Sequence, residues 1–285
     1  MAEVVICVDD CSKDQSAAII EALQMSYPSL QLVRHKVNQG VGGAMITGIQ
    51  RALEIKADII VKMDGDGQMD ASYVPELLDA LASPDVHFAK GNRFNDFRAL
   101  RKMPVVRRFG NLGLSFLLKA ASGYWEVFDP TNGFFAIKAS KAARLDYSKI
   151  AKRYFFESSL IIELYYHGVV IKDVPMPAIY GTEKSNLSVK KVLFEFPPRI
   201  LKAWARRIWL RYFIYDLNIA SFYFLFGSLL MGWGIIYGAV KYFEYKRLML
   251  PAPTGTVMLP VLGIVLGFQL LLSAISYDIE KGKLK

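Results

Sequence analysis

Cysteine and histidine are scarce: the 285 residues contain two Cys, Cys7 and Cys11, and three His. With no second cysteine pair and no histidine cluster, a zinc site is excluded and a disulfide framework is disfavoured. Acids are in deficit, 26 Asp plus Glu against 35 Lys plus Arg, for a net charge of +9. That excess points to phosphorylated ligands, anionic lipid or nucleic acid, and its location has to decide between them. Two stretches lack charge altogether, Leu217 to Val240 (24 residues) and Leu248 to Tyr277 (30 residues). At about 1.5 Å per helical residue, each can cross roughly 30 Å of hydrocarbon. A hydrophobic fraction of 53% and a mean hydropathy of +0.25 agree that part of the chain sits in lipid. Met1 leads directly into a strand-like run, so no signal peptide is expected.

The stretch that organises the remainder is Asp58 to Asp70, D-I-I-V-K-M-D-G-D-G-Q-M-D. Ile59 to Met63 reads as a buried strand that stops at Asp64 and Asp66, with Gly65 between them. Carboxylates at i and i+2 past a strand end, with glycines for tight turns, can converge on one hard cation. The same residues can also form a solvated Asp/Gly turn. Upstream, Val4 to Val8 and Leu30 to Val33 read as strands, with a helix between them capped by Ser12 or Asp14. A second helix opens in N-Q-G-V-G-G-A, Asn38 to Ala44, and runs to about Ile55. Its glycines miss the G-x-G-x-x-G spacing of a dinucleotide loop and suit close helix–strand packing. A helix from about Tyr73 to Leu81 and a strand near Val86 to Lys90 follow. This alternation implies an α/β fold with a mainly parallel sheet, whose ligands bind at the carboxyl ends of the strands. Asp9, Asp10, Asp64 and Asp66 all stand at such ends.

Val8 to Asp14 (V-D-D-C-S-K-D), Asn38 to Ala44, Asp64 to Gln68 (D-G-D-G-Q), Gly91 to Phe94, Asp129 to Phe134 (D-P-T-N-G-F), Phe156-Glu157 and Tyr180 to Ser185 occur in that order. Together they resemble family-two glycosyltransferases of the GT-A fold, and within them the polyisoprenyl-phosphate group similar to dolichol-phosphate-mannose synthases. The resemblance covers about Val4 to Leu187. It implies a nucleotide-sugar donor bound by Asp9, Asp10, Asp64, Asp66 and Gln68. It also implies a Mg2+ or Mn2+ ion on Asp66, with Asp64 and Gln68 supporting it, and a catalytic or acceptor-positioning Asp129. For Asp10 a turn or helix cap remains the alternative. Arg93, Lys184 and Ser185 are candidates for phosphate binding, with ordinary surface cations as the other reading of the two bases. Where the family often has G-S-F-R, this chain has Gly133-Phe134-Phe135-Ala136, so another cation must serve there. The family's first strand and helix have no counterpart before Val4. Their lack would leave a sheet edge uncovered and weaken the base pocket.

The positive charge is concentrated near the apolar stretches. Arg98 to Arg108 holds five Lys/Arg and no acid; Lys190 to Arg211 holds seven against Glu195. In the second run, Phe194, Phe196, Trp204 and Trp209 interleave with the cations, as in helices lying in a headgroup layer. Pro197-Pro198 is expected to split it into two helices. The expected domains are a GT-A catalytic domain over 1–188, juxtamembrane amphipathic helices over 189–215, and two transmembrane helices with a short tail over 216–285. Basic residues at Arg199 to Arg211 and at Lys281, Lys283 and Lys285 outweigh those of the intervening loop. They place the catalytic domain and C-terminus on the cytoplasmic side. The implied reaction moves a hexose from a nucleotide diphosphate sugar to a polyisoprenyl phosphate, with inversion. Donor, lipid acceptor and membrane are the expected partners, nucleic acid is not, and a homo-oligomer is left open. Two rivals stand: a processive polysaccharide synthase, opposed by the lack of Q-x-x-R-W and the few spans, and a catalytically impaired membrane-binding module.

Overall fold

The computed structural model describes residues 3–93, 105–129, 132–177 and 189–283, with side chains left out of account at 105–111, 189–194 and 283. Two compact units divide it, residues 1–203 and 204–285.

In the first unit, β1 (Val5–Asp9), α1 (Ser16–Gln24) and β2 (Leu30–Arg34) form a parallel pair with its crossover helix. The start of α1 differs from expectation. Gln15 holds the capping position without a side-chain bond, and Asp14 Oδ1 accepts the Ser16 N–H at 3.0 Å from one residue further out. The chain continues through α2 (Val41–Glu54), β3 (Ile59–Lys62), α3 (Val74–Ala82), β4 (Phe88–Asn92) and α4 (Val105–Ser122). After β5 (Phe135–Lys138), α5 (Phe156–Tyr166) and β6 (Ile171–Pro175) complete the unit's sheet. Strands β3, β5, β4 and β6 form one sheet in that order, with β5 antiparallel to β3 and β4. The sheet is thus mixed, β5 being the reversed member. Among the described residues β1 pairs only with β2 and β3 only with β5. Each therefore keeps an edge without a neighbouring strand.

Side-chain alternation explains why β5 is central. Phe135 and Ile137 join Ile46, Ile49, Ile60, Phe88, Phe156, Leu160 and Leu164 on one face. Phe134 and Ala136 join Leu77, Leu81, Ala89 and Val174 on the other. A strand buried on both faces reads as a continuous apolar run, which is how F-F-A-I appears in the sequence. A Cβ on Gly48 would lie 3.4 Å from Val8 Cγ2, so this glycine faces β1 at a helix–strand contact. Gly40 (φ 85°) and Gly42 serve differently: a Cβ on either would collide with the 151–153 backbone.

The charged run after residue 188 forms a single helix, α6 (Val189–Trp209), with both Pro197 and Pro198 inside it. The expected split does not occur. Phe196 and Ile200 are buried, and the Phe196 ring meets Phe155 at 5.0 Å, so packing on both sides of the prolines outweighs the lost N–H donors.

In the second unit a π-helical turn, Leu210–Tyr215, follows, and then α7 (Ile219–Leu248) and α8 (Thr254–Lys283). Asn218 caps α7 through a reciprocal box with Ser221. Both helices are long and apolar enough to cross a membrane, with mean hydropathies of 1.8 and 2.2. Gly227, Gly234, Gly263 and Gly267 let their backbones approach closely: a Cβ on Gly227 would lie 3.0 Å from the Gly267 carbonyl oxygen. At its foot Arg207 donates two hydrogen bonds to Asp278 (2.9 and 2.6 Å), and Tyr212 donates a third at 2.6 Å. All three side chains are buried, so the charges are compensated at their own site.

Candidate active site

The strand directions bring chemistry to one rim. β3 and β4 end there, just before Asp64 and Arg93, and reversed β5 begins there, so Asn132 and Gly133 approach at the same end. At the end of β3, Lys62 Nζ lies 2.6 Å from Asp64 Oδ1. Asp66 is exposed, and its Oδ1 accepts the Gln68 N–H at 3.0 Å across a turn that Gly67 (φ 71°) makes possible. Asp64, Asp66 and Gln68 therefore share one short loop. Hard oxygen donors of this kind fit Mg2+ or Mn2+. Among the described residues no group of three or more Asp, Glu, His or Cys converges on one point. These residues thus fit an ion that completes its shell with a ligand's oxygens, not one caged by protein.

Asp129 is fully buried and surrounded by cations. Arg93 Nε and a terminal nitrogen reach its two carboxylate oxygens at 2.8 and 3.2 Å, the Arg93 N–H adds a bond at 3.2 Å, and Lys90 Nζ donates to its carbonyl oxygen. Burial works to raise the Asp129 pKa, but the Lys90 charge and the Arg93 bonds outweigh it and hold the carboxyl below its ordinary range. Buried Lys90 is pushed down to about 8 by desolvation, against the pull of Asp129 and Asp173. Asp173 accepts from Asn92 and from the Phe128 N–H at 3.2 and 2.9 Å, and burial raises its pKa.

Asp10 is engaged by its own protein. Its oxygens accept the Gln39 and Gly40 N–H groups at 2.8 and 2.7 Å, and His35 Nδ1 lies 2.7 Å away. A carboxylate there requires a proton on Nδ1, and Nε2 lies 2.8 Å from the Thr47 hydroxyl. Burial opposes these bonds, yet they hold the Asp10 carboxyl below its ordinary range. Asp10 thus pins the loop that opens α2. Neighbouring Asp9 accepts from the Ser12 N–H at 3.1 Å and sits 3.6 Å from Arg34; its Oδ2 is buried without a hydrogen bond. Lys184, Ser185 and the rest of the Tyr180–Ser185 motif lie outside the described residues, as do Phe94, Pro130, Thr131 and the Arg98–Lys102 part of the first basic run.

Three charged groups beside this rim had no assigned role in the sequence reading: Lys62, Lys90 and Glu157. Phe135 is the cross-strand partner of both lysines, so the three side chains stand in a row on the face toward α5. Half-buried Glu157, in the first turn of α5, is pushed up from 4.5 to about 7 by burial, against the charges of Lys62 and Lys90. A lysine closing an otherwise apolar strand just before paired aspartates was the available signal.

The family model described as glycosyl transferase family 2 matches residues 3–145, half of the chain. The chain belongs to this family. It is therefore a glycosyltransferase with a GT-A-like fold. It is 31% identical over 204 residues to the UDP-N-acetylglucosamine–dolichyl-phosphate N-acetylglucosaminyltransferase of Methanococcus voltae, covering 67% of this chain and 80% of that one. It is 27% identical to the undecaprenyl-phosphate mannosyltransferase of Micrococcus luteus, covering 60% and 70% of the two chains. Among solved structures, glucosyl-3-phosphoglycerate synthase from Mycobacterium tuberculosis superposes with a TM-score of 0.50 at 16% identity, covering 72% of this chain and 69% of that one. That likeness concerns the fold alone. In this glycosyltransferase the family match ends at residue 145, so Glu157 and α5 lie beyond it while Asp64, Asp66, Arg93 and Asp129 lie within it.

Proposed function

We propose that this glycosyltransferase moves a hexose from a nucleotide diphosphate sugar to a polyisoprenyl phosphate at the cytoplasmic face of a membrane, with inversion and with Mg2+ or Mn2+. The observation that carries the acceptor reading is the similarity to enzymes acting on dolichyl and undecaprenyl phosphates, which spans 80% of the first of them. Two C-terminal helices of membrane-crossing length support a lipid acceptor.

In this reading an ionised acceptor phosphate oxygen attacks the anomeric carbon from the side opposite the leaving group. The bond from that carbon to the diphosphate oxygen breaks, and a nucleoside diphosphate departs. Asp64, Asp66 and Gln68 would hold the ion, which supplies charge compensation to the departing diphosphate. The acceptor phosphate arrives deprotonated, so no strong base is required. Asp129, held acidic under two cations, is therefore assigned the task of orienting Arg93 toward a phosphate rather than of taking a proton. Asp10 shapes the donor pocket through the 39–40 loop, with Asp9 beside it, and Lys184 and Ser185 remain proposed phosphate contacts. The catalytic, juxtamembrane and membrane parts are placed at 1–188, 189–215 and 216–285. Basic residues flanking the helices assign the first part and the C-terminus to the cytoplasmic side.

The test is radiolabel transfer from a panel of nucleotide sugars to purified polyisoprenyl phosphate, with wild type and Asp66→Asn compared in Mn2+ and in Mg2+. Labelled lipid is expected from wild type, with about 10²-fold or greater loss in the variant. Label in a polymer instead of the lipid favours the synthase reading. Undiminished turnover of Asp66→Asn removes that residue from the ligand set.

A further inference from the structure

We infer that Lys62 is the resident counter-cation of Asp64, and that it yields this carboxylate to the incoming divalent ion by crossing Gly133 toward Glu157. The inference rests on the metal-dependent reading above and adds to it a positioning residue within the site.

Three observations carry it. First, Lys62 Nζ is 2.6 Å from Asp64 Oδ1, and the lysine side chain is the more buried partner, 10% exposed against 29%. The ammonium thus approaches the carboxylate from the protein side, where strand register fixes the lysine opposite Phe135. Its charge also lies 5.2 Å from the centre of the Phe156 ring. Second, Gly133 marks a point where three ionic groups meet. A Cβ there would lie 2.5 Å from Lys62 Nζ, 3.0 Å from Asp64 Oδ2 and 3.2 Å from Glu157 Oε1. Only a residue without a side chain leaves that space to them. Third, Glu157 belongs to the first turn of α5 and brings a second carboxylate to that same space.

An ammonium and a divalent ion compete for the same carboxylate, and their like charges repel at contact distance. A lysine has a flexible stem and a point charge, so it can change partners without moving the backbone. Leaving Asp64 for solvent would strand Glu157 beside a newly bound cation's ligands. Crossing to Glu157 keeps both carboxylates paired, one with the ion and one with the lysine. Before an ion binds, Lys62 spares Asp64 and Asp66 the repulsion of adjacent anions.

The test is Mn2+ binding to the full chain in detergent, read from loss of the free-ion electron paramagnetic resonance signal, with Mn2+ alone and with Mn2+ plus UDP. Lys62→Met is expected to tighten Mn2+ binding about three- to tenfold, since a competing partly buried ion pair is gone. Glu157→Gln is expected to weaken it in the wild-type background and to have no effect once Lys62 is Met, a coupling that a merely structural role would not produce. Unchanged or weaker Mn2+ binding by Lys62→Met, at wild-type thermal stability, overturns the inference. So does an equal effect of Glu157→Gln in both backgrounds. Lys62→Gln replaces the methionine variant if the latter does not fold. If wild type binds no Mn2+ even with UDP, the metal-dependent reading fails and takes this inference with it. If Asp66→Asn loses Mn2+ while Lys62→Met is neutral, this inference alone fails.

Discussion

At Asp129 one carboxylate answers two cations inside the protein. Replacing it with Asn leaves buried Lys90 and part-exposed Arg93 facing a neutral amide. A wholly buried pair costs about 3–5 kcal/mol to break, and solvent at Arg93 screens part of this, so Asp129→Asn is expected to cost roughly 1–3 kcal/mol and to lower the thermal midpoint as well as turnover. Donor KM should change less than kcat, because the proposed task lies on the acceptor side; calorimetry and steady-state kinetics read the two effects separately. A loss in donor affinity equal to the loss in turnover would place Asp129 on the donor. Glu157 provides a pH signature. Its carboxyl is pushed from 4.5 to about 7, first by burial and despite Lys62 and Lys90. Between those values the folded chain keeps a proton that the unfolded chain has released. Stability therefore falls as pH rises from about 4.5 to about 7, by something on the order of 1–3 kcal/mol, and is level above it. Glu157→Gln should flatten that slope in thermal unfolding between pH 4.5 and 8. A slope that persists in the variant assigns it to another group.

Among the elements, α6 most clearly sets propensity against packing. Two consecutive prolines remove two N–H donors, and each ring crowds the turn before it. Continuity across Pro197-Pro198 is held by apolar side chains on either side, Phe196 against the Phe155 ring and Ile200 in full burial, with the Arg199 guanidinium 5.7 Å from the Phe155 ring centre. Phe196→Ala removes one of these supports at a cost of about 3–5 kcal/mol of local packing. It should open the helix at the prolines, seen as faster amide exchange over residues 195–202 than in wild type. Unchanged exchange there would show that the prolines are accommodated by the backbone alone.

For the whole molecule, the consequence of the charge distribution is attachment at two strengths. The charge-free stretches Leu217 to Val240 and Leu248 to Tyr277, which supply most of α7 and α8, would anchor by burial in hydrocarbon, and the run from Lys190 to Arg211 by attraction to anionic headgroups. A chain lacking 217–285 is therefore expected to associate with anionic liposomes at low salt, more weakly than the full chain, and to release as ionic strength rises to about 0.5 M. Flotation in a density gradient measures it, and free protein at low salt would remove the amphipathic reading of α6. The unpaired edges of β1 and β3 belong to the same scale. Both strands pack against α2, yet neither finds its second neighbour among the described residues.

Local pattern alone placed a strand over 59–63, a helix running to about Ile55, another from about Tyr73 to Leu81 and two long apolar helices near the C-terminal end. The first three lie within two or three residues of β3, α2 and α3, and the last two cover most of α7 and α8, because each signal is local and spans enough residues to average out exceptions. The sequence order of the motifs sufficed to identify the family. Strand β4 begins two residues later than the reading near Val86, and β5 and β6 carried no expectation at all. Their pairing depends on neighbours distant in sequence, and a short apolar run has no period of its own. For the same reason the charge row of Lys62 and Lys90 across Phe135, with Glu157 facing it, was invisible along the chain. Residues 62, 90, 135 and 157 meet only through strand register and the placement of α5. The sequence named the candidate carboxylates, and only tertiary contact decided which cations stand beside them, since charge acts through space and not along the backbone.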